Sequence, residues 1–481
     1  MCCTLLLLIL FLLPIASPAA DITVIRQNAE LKAAIGLLDS WITSQIEYRQ
    51  LPGLSIAIVY DKDVVWSKAY GYADLQNKVP MTTQSVFRIA SITKTFTCTA
   101  IMQLRDQGKL RIDDPVSKYL PWFKYKNRFP QGPEVTLRMV MTHTSGLPGE
   151  SAFPYWTDHK FPTREQIVEA LKNQESIFEA DTRFRYSNLA LAILGEVVAS
   201  VSGEAYDRYI QKHMFDPLGM NSSSVFPTED QKRRLVTPYG RKMADGSRDV
   251  STYTDSKGLT PAANISSTPE DLARYASAHM QETDNNPLGM RGSTLREMHR
   301  PQWIQPNWKS AWGLGFSIGK SDDRVTFGHG GWVGGNKSQF LVSPSEKTAV
   351  ILMVNADDAV PSALASRAMS MLAPILKRLG APAEPDEPFD TTWQAYVGKY
   401  RDPWGWETEI LNQNGKLMMY DYSYPPEDDP TGSLVRLKPE RPRTFRQTGE
   451  GANGETVVFE VDAKGSVVRV KVGENYIYPA R

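Results

Sequence analysis

Residues Gly380 to Thr392 (GAPAEPDEPFDTT) carry three prolines and four acidic side chains. Such a run lacks the apolar surface to join a core and breaks both helix and strand periodicity, so it reads as a linker. That break divides the 481-residue chain into separately folding pieces. The division expected is 21–379, a linker at 380–391, and a small domain at 392–481.

The downstream piece is a succession of hairpin signals. Glu409 to Leu411 and Leu417 to Tyr420 flank an Asn414-Gly415 turn, and Thr456 to Val461 and Val467 to Val472 flank Ala463 to Gly465. This predicts an all-β domain, with a closed barrel as one arrangement that consecutive hairpins allow. The upstream piece mixes both periodicities. Leu54 to Tyr60 (LSIAIVY) and Val64 to Tyr70 read as a hairpin, Arg164 to Leu171 and Ala190 to Ser200 as helices, and Val325 to Phe327, Ser338 to Val342 and Thr348 to Asn355 as strands. The pattern is α+β with antiparallel neighbours.

The extreme N-terminus stands apart. Leu5 to Leu13 is an unbroken apolar run ended by Pro14 and followed by small residues through Ala20, which predicts a secretory signal peptide over 1–20, cut near Ala19 or Ala20. The segment preceding the run has no Lys or Arg. It is too short to span a bilayer, so no stable transmembrane anchor is expected. The expected location is outside the cytoplasm, periplasmic or extracellular. Cys2 and Cys3 would leave with the leader, and Cys98 would remain as the one cysteine. That excludes an intramolecular disulfide and a Cys-rich metal site. Lys+Arg and Asp+Glu both total 54, so no net field favours nucleic acid. The expected partner is a small-molecule or peptide substrate, and nothing in the sequence sets an oligomeric state.

Chemistry enters at Ser91 to Lys94 (SITK). On a helix, a serine three positions before a lysine shares its face, placing a nucleophile beside a base. By composition a Ser-x-x-Lys should occur about twice in such a chain, and it occurs twice, the other copy being Ser317 to Lys320. That copy lies in Trp312 to Gly319 (WGLGFSIG), which reads as a strand, where positions i and i+3 face opposite ways. Ser91 instead opens a segment in which Phe96, Ala100 and Leu104 recur at helical spacing and Gly108 supplies a stop. Cys98, one turn past Lys94, reads as small apolar filler.

Two later clusters carry further candidates. In Tyr186, Ser187, Asn188 the phenol can pass a proton and the carboxamide can grip a substrate amide; the plainer reading is an Asn helix cap beside a packed Tyr. His329, Gly330 and Gly331 follow a strand-like run and precede Trp332. Glycines there permit close backbone approach by a ligand, and the N–H after them can serve an oxyanion; a simple turn with an incidental His is the alternative.

Ser91/Lys94, Tyr186/Asn188 and His329/Gly331, in that order, resemble the serine beta-lactamase and penicillin-binding-protein superfamily, in its branch related to class C beta-lactamases, DD-peptidases, D-aminopeptidases and esterases. Phe87 to Thr95 (FRIASITKT), Gly108 to Pro121 (GKLRIDDPVSKYLP) and Met141 to Pro148 (MTHTSGLP) resemble stretches of the same family. The resemblance covers about residues 30 to 377. It implies an antiparallel sheet flanked by helices with a helical subdomain, and a serine hydrolase working through an acyl-enzyme without metal or organic cofactor. Ser91 would be the nucleophile, Lys94 with Tyr186 the proton acceptor and donor, and Asn188 the substrate-amide contact. The backbone N–H groups of Ser91 and Trp332 would hold the oxyanion, with the helix start adding its dipole. The third family element, often Lys-Thr-Gly, is here His329, Gly330, Gly331.

That departure bears on substrate. A histidine, with an ordinary pKa near 6.5, is mostly neutral at pH 7, and Gly330 offers no hydroxyl. The carboxylate grip used by penicillins is weakened, so esters or small amides are expected to outrank beta-lactams. The rival expectation is a non-catalytic module binding a cell-wall fragment or a beta-lactam. His143, in the MTHTSGLP stretch, is expected to bridge loop backbone groups, while Trp303, Trp308 and Trp312 fit either the lining of an acyl pocket or core and rim packing.

Overall fold

The computed structural model describes residues 21–308, 310–321, 324–381, 390–421, 434–449 and 452–480. The expected signal peptide and residues 382–389 of the expected linker lie outside the described residues. The chain divides into two units, Met1–Pro382 and Ala383–Arg481.

The first unit is built on a nine-stranded sheet. In spatial order its strands are Val79–Pro80, Asp63–Asp74, Gly53–Tyr60, Thr348–Val354, Asn336–Ser343, Arg324–Val333, Ser317–Ser321, Ser310–Trp312 and Trp303–Ile304. All its pairings are antiparallel. Period-two alternation sorts the central strands between two cores. Leu54, Ile56 and Ile58, with Val350, Leu352 and Val354, face helices Ala29–Arg49 and Pro361–Gly380 through Leu38, Ile42, Leu364 and Leu372. Ala57 and Val59, with Ala349, Ile351 and Met353, face the larger core that holds helices Thr93–Asp106, Asn188–Ser202 and Pro269–Met280. Both faces are covered, which is why LSIAIVY reads as continuously apolar rather than alternating. The helix Arg164–Leu171 forms where expected, started by a capping box between Thr163 and Gln166.

Two local expectations need correction. Trp312 to Gly319 is not one strand: Ser310–Trp312 and Ser317–Ser321 pair with each other across a turn at Gly313 to Phe316. Gly315 there adopts φ +88°, and a Cβ on it would overlap the Cys98 side chain, so close packing over Cys98 forces the bend. His329 to Gly331 does not follow a strand but lies inside one, Arg324–Val333; the glycines hid its strand character.

The second unit is a closed barrel of eight strands in sequence order, from Gly398–Arg401 to Asn475–Pro479, the first and last joined through Tyr400 and Pro479. Tyr396, Tyr400, Ile410, Leu417, Leu437, Phe445, Val457, Phe459 and Val470 fill its interior, as expected of a barrel this small.

Candidate active site

Ser91 lies in a 3-10 turn, Ala90–Ile92, directly ahead of helix Thr93–Asp106. It is therefore not itself a residue of the α-helix, as its spacing implied, but the turn keeps it on the Lys94 side. Ala90 holds φ +48°, and the turn is pinned from both flanks: Ile89 N–H donates to the Ile265 carbonyl at 3.0 Å, and Ser338 Oγ donates to the Ile89 carbonyl at 3.2 Å. A Cβ on Gly331 would overlap that same carbonyl oxygen, so glycine is what lets strand Arg324–Val333 press against the serine turn.

Lys94 is 1 % exposed. Its Nζ donates to Ser91 Oγ at 3.0 Å and to the Ala262 carbonyl at 2.8 Å. Burial pushes its pKa down to about 7, against the opposing pull of the Glu150 carboxylate. Near neutrality roughly half the side chains are thus free amine, able to accept a proton. The Tyr186 phenol is raised by burial, while a hydrogen bond with the Ser91 side chain pulls it the other way. It stays protonated and can donate. Lys94 Nζ sits 5.0 Å from the Tyr186 ring centroid.

His143 backs this group. It is buried, its Nδ1 accepts the Ser187 N–H at 3.1 Å, and its ring lies 4.3 Å from that of Tyr186. The loop-bridging role expected of it holds, with support of Tyr186 added. Ser187, not Asn188, caps helix Asn188–Ser202 by accepting the Ala190 N–H at 2.9 Å. The Asn188 amide is thereby freed to donate to Glu150 Oε1 at 2.7 Å.

His329 meets the Gly330 carbonyl through Nδ1 at 2.6 Å. A carbonyl can only accept, so Nδ1 carries the proton and Nε2 is a bare acceptor, buried without a partner. Burial, followed by the Lys94 charge, drops the His329 pKa to about 3. Next along the strand, the two-residue turn at Gly334-Gly335 sets the ladder. Val333 and Asn336 close it, which makes Trp332 and Lys337 a non-hydrogen-bonded pair. The Trp332 N–H therefore points away from strand Asn336–Ser343. On that other side the neighbouring strand's pairing stops at Ser317 and Gly328, so the edge is open.

Ser91, Tyr186, Asn188, His329, Gly330, Gly331 and Trp332 line one cleft of about 740 Å³, with Lys94 buried beneath Ser91. Spacing alone missed other wall residues. Glu150, Trp156, Lys337 and Ser317 line it too, as does Trp312, for which an acyl-pocket wall and simple packing were both open. Trp308, by contrast, is 81 % exposed. A second cleft, of about 730 Å³, lies in the barrel and is lined by Trp393, Tyr396 and Phe445 among others.

A Beta-lactamase family model matches residues 38–370. The chain is 27% identical over 473 residues to Beta-lactamase-like protein 2 of Dictyostelium discoideum, covering 91% of this chain and 85% of that one. It is 26% identical over 324 residues to Protein flp of Staphylococcus aureus strain MW2, covering 66% of this chain and 62% of that one. Among solved structures, the octameric penicillin-binding protein homologue from Pyrococcus abyssi shares the fold at a TM-score of 0.62 and 24% identity, over 92% of this chain and 99% of that one. With the family match spanning the sheet, its helices and the whole cleft, the chain belongs to the beta-lactamase family of hydrolase folds and carries a β-barrel domain after it.

Proposed function

We propose that the protein is an exported serine hydrolase that cleaves an ester or small amide through an acyl-enzyme. The observation that carries this reading is the buried Lys94 amine, 3.0 Å from Ser91 Oγ with its pKa lowered to about 7. Ser91 Oγ attacks the acyl carbon as Lys94 takes its proton, and the oxyanion forms against the N–H groups of Ser91 and Trp332. The carbon–leaving-group bond then breaks, the leaving group taking a proton relayed through Tyr186 and Lys94. Water attacks the acyl-enzyme by the reverse route and restores the Ser91 hydroxyl. Export rests on the apolar run at Leu5 to Leu13.

A fluorophosphonate probe should label the protein, and Ser91→Ala should abolish labelling. Wild-type protein unlabelled at every pH from 6 to 9 would favour a binding module instead. Esters are expected to outrank beta-lactams, because His329, with its pKa near 3, offers a substrate carboxylate no charge at working pH. A kcat/KM for a chromogenic cephalosporin above that for a p-nitrophenyl ester would reverse this order.

A further inference from the structure

We infer that the cleft selects substrates bearing an alkylated ammonium group, held between the Glu150 carboxylate and the tryptophans of the wall; this rests on the serine hydrolase reading of the same cleft. Glu150 is the reason to look for a cation. Its side chain accepts from Asn188 Nδ2 and from the Tyr155 hydroxyl, both neutral donors, and no ion pair engages it among the described residues. That carboxylate lines the cleft.

The other groups of the cleft are neutral or bonded elsewhere. His329 is neutral. Lys94 is buried and bound to Ser91 and Ala262. Lys337 is the other cation on the wall, and its Nζ is turned to the Ala359 carbonyl at 3.0 Å. Between Glu150 and Lys337 in the chain of contacts stand two tryptophans. Trp156 adjoins Tyr155, the Glu150 partner, and Trp332 is the cross-strand neighbour of Lys337. Their rings stack at 5.7 Å and 22°, although they are 40% and 50% exposed. Trp312 and Tyr186 add two more aromatic walls.

Aromatic faces attract cations, tryptophan most strongly, and a nearby carboxylate adds to the pull. A quaternary ammonium suits such a wall better than a primary amine, because it has no N–H groups needing acceptors and its methyls are themselves apolar.

The test compares p-nitrophenyl 4-(trimethylammonio)butanoate with its neutral isostere, p-nitrophenyl 5,5-dimethylhexanoate. Wild type should favour the cation in kcat/KM by about tenfold, and Glu150→Gln should bring the ratio close to one. Because the ratio is internal to each protein, partial misfolding does not imitate the result. A wild-type ratio at or below one, with Ser91 still labelled and the neutral ester still cleaved, overturns the cation site and leaves the hydrolase reading intact. If neither ester is cleaved and Ser91 is not labelled, the hydrolase reading fails. Calorimetric binding of tetramethylammonium chloride to Ser91→Ala protein, against sodium chloride at equal ionic strength, then decides the cation site separately: binding lost in Glu150→Gln supports it, and no binding overturns it.

Discussion

Lys94→Met is expected to lower kcat/KM for an activated ester by about 10³-fold while making the protein more stable at neutral pH. Both effects come from one desolvated amine. In wild type, kcat/KM should rise from pH 6 to 8 with an apparent pKa near 7 as the buried amine loses its proton; in the variant the slope should vanish. For stability, an unfolded chain keeps the lysine proton up to about pH 10.5, whereas the folded protein sheds it above about 7. Unfolding therefore takes up a proton throughout that window, and the stability tied to this group falls as pH falls from 10.5 to 7. At pH 7 the difference is about 3 to 5 kcal/mol. Methionine escapes it but gives up two hydrogen bonds worth about 1 kcal/mol each, so a net gain of about 1 to 3 kcal/mol is expected. The variant's urea midpoint should lie above that of wild type at pH 7, and the order should reverse toward pH 10, where only the lost hydrogen bonds remain. A variant no more stable than wild type at pH 7 would show that Lys94 is not held desolvated.

What spacing could reveal of this site depended on how local each contact is. Ser91 and Lys94 are three residues apart, so helical geometry alone pairs them, and the competing Ser317 to Lys320 copy is ruled out by its strand. Even so, Ser317 returns to the cleft wall through the pairing of Ser317 with Gly328, a long-range effect that periodicity does not carry. Glu150 stayed hidden for the same reason. One acidic residue among 54 gains meaning only when helix Asn188–Ser202 delivers the Asn188 amide to it, and that delivery turns on Ser187 taking the cap. The sheet was more legible than its edges, because central strands buried on both faces show as apolar runs, whereas His329 to Gly331 sits in a strand held by pairing rather than by propensity. The eight-stranded closure of the barrel is likewise a matter of its ends meeting at Tyr400 and Pro479, beyond the reach of hairpin signals.

Lowering the pH from 7 to 5 is expected to remove several kcal/mol of stability through the buried histidines alone. Of the six histidines, His143, His279, His299 and His329 are buried, and burial pushes the pKa of each down, His279 and His329 to about 3. Unfolded, all four would protonate below about pH 6.5. Folded, they remain neutral, so unfolding takes up protons and stability falls with pH from 6.5 toward the folded pKa values. Below pH 6.5 each fully desolvated histidine contributes about 1.4 kcal/mol per pH unit, about 5.6 per unit for four together, against a typical total of about 5 to 15. The His279–His299 pair shows why the folded state resists charging. Nδ1 of one meets Nε2 of the other at 3.0 Å, a bond that needs one donor and one acceptor, and His299 lies flat on Phe327 at 3.7 Å. Urea midpoints at pH 7, 6 and 5 test this, and replacing both His279 and His299 with Gln should reduce the slope by about two protons. Midpoints unchanged from pH 7 to 5 would mean the histidines charge freely in the fold. The desolvation that supplies Lys94 with a neutral amine near pH 7 therefore has a counterpart in these histidines: the interior that keeps that amine free at neutral to alkaline pH is the one that acid opens.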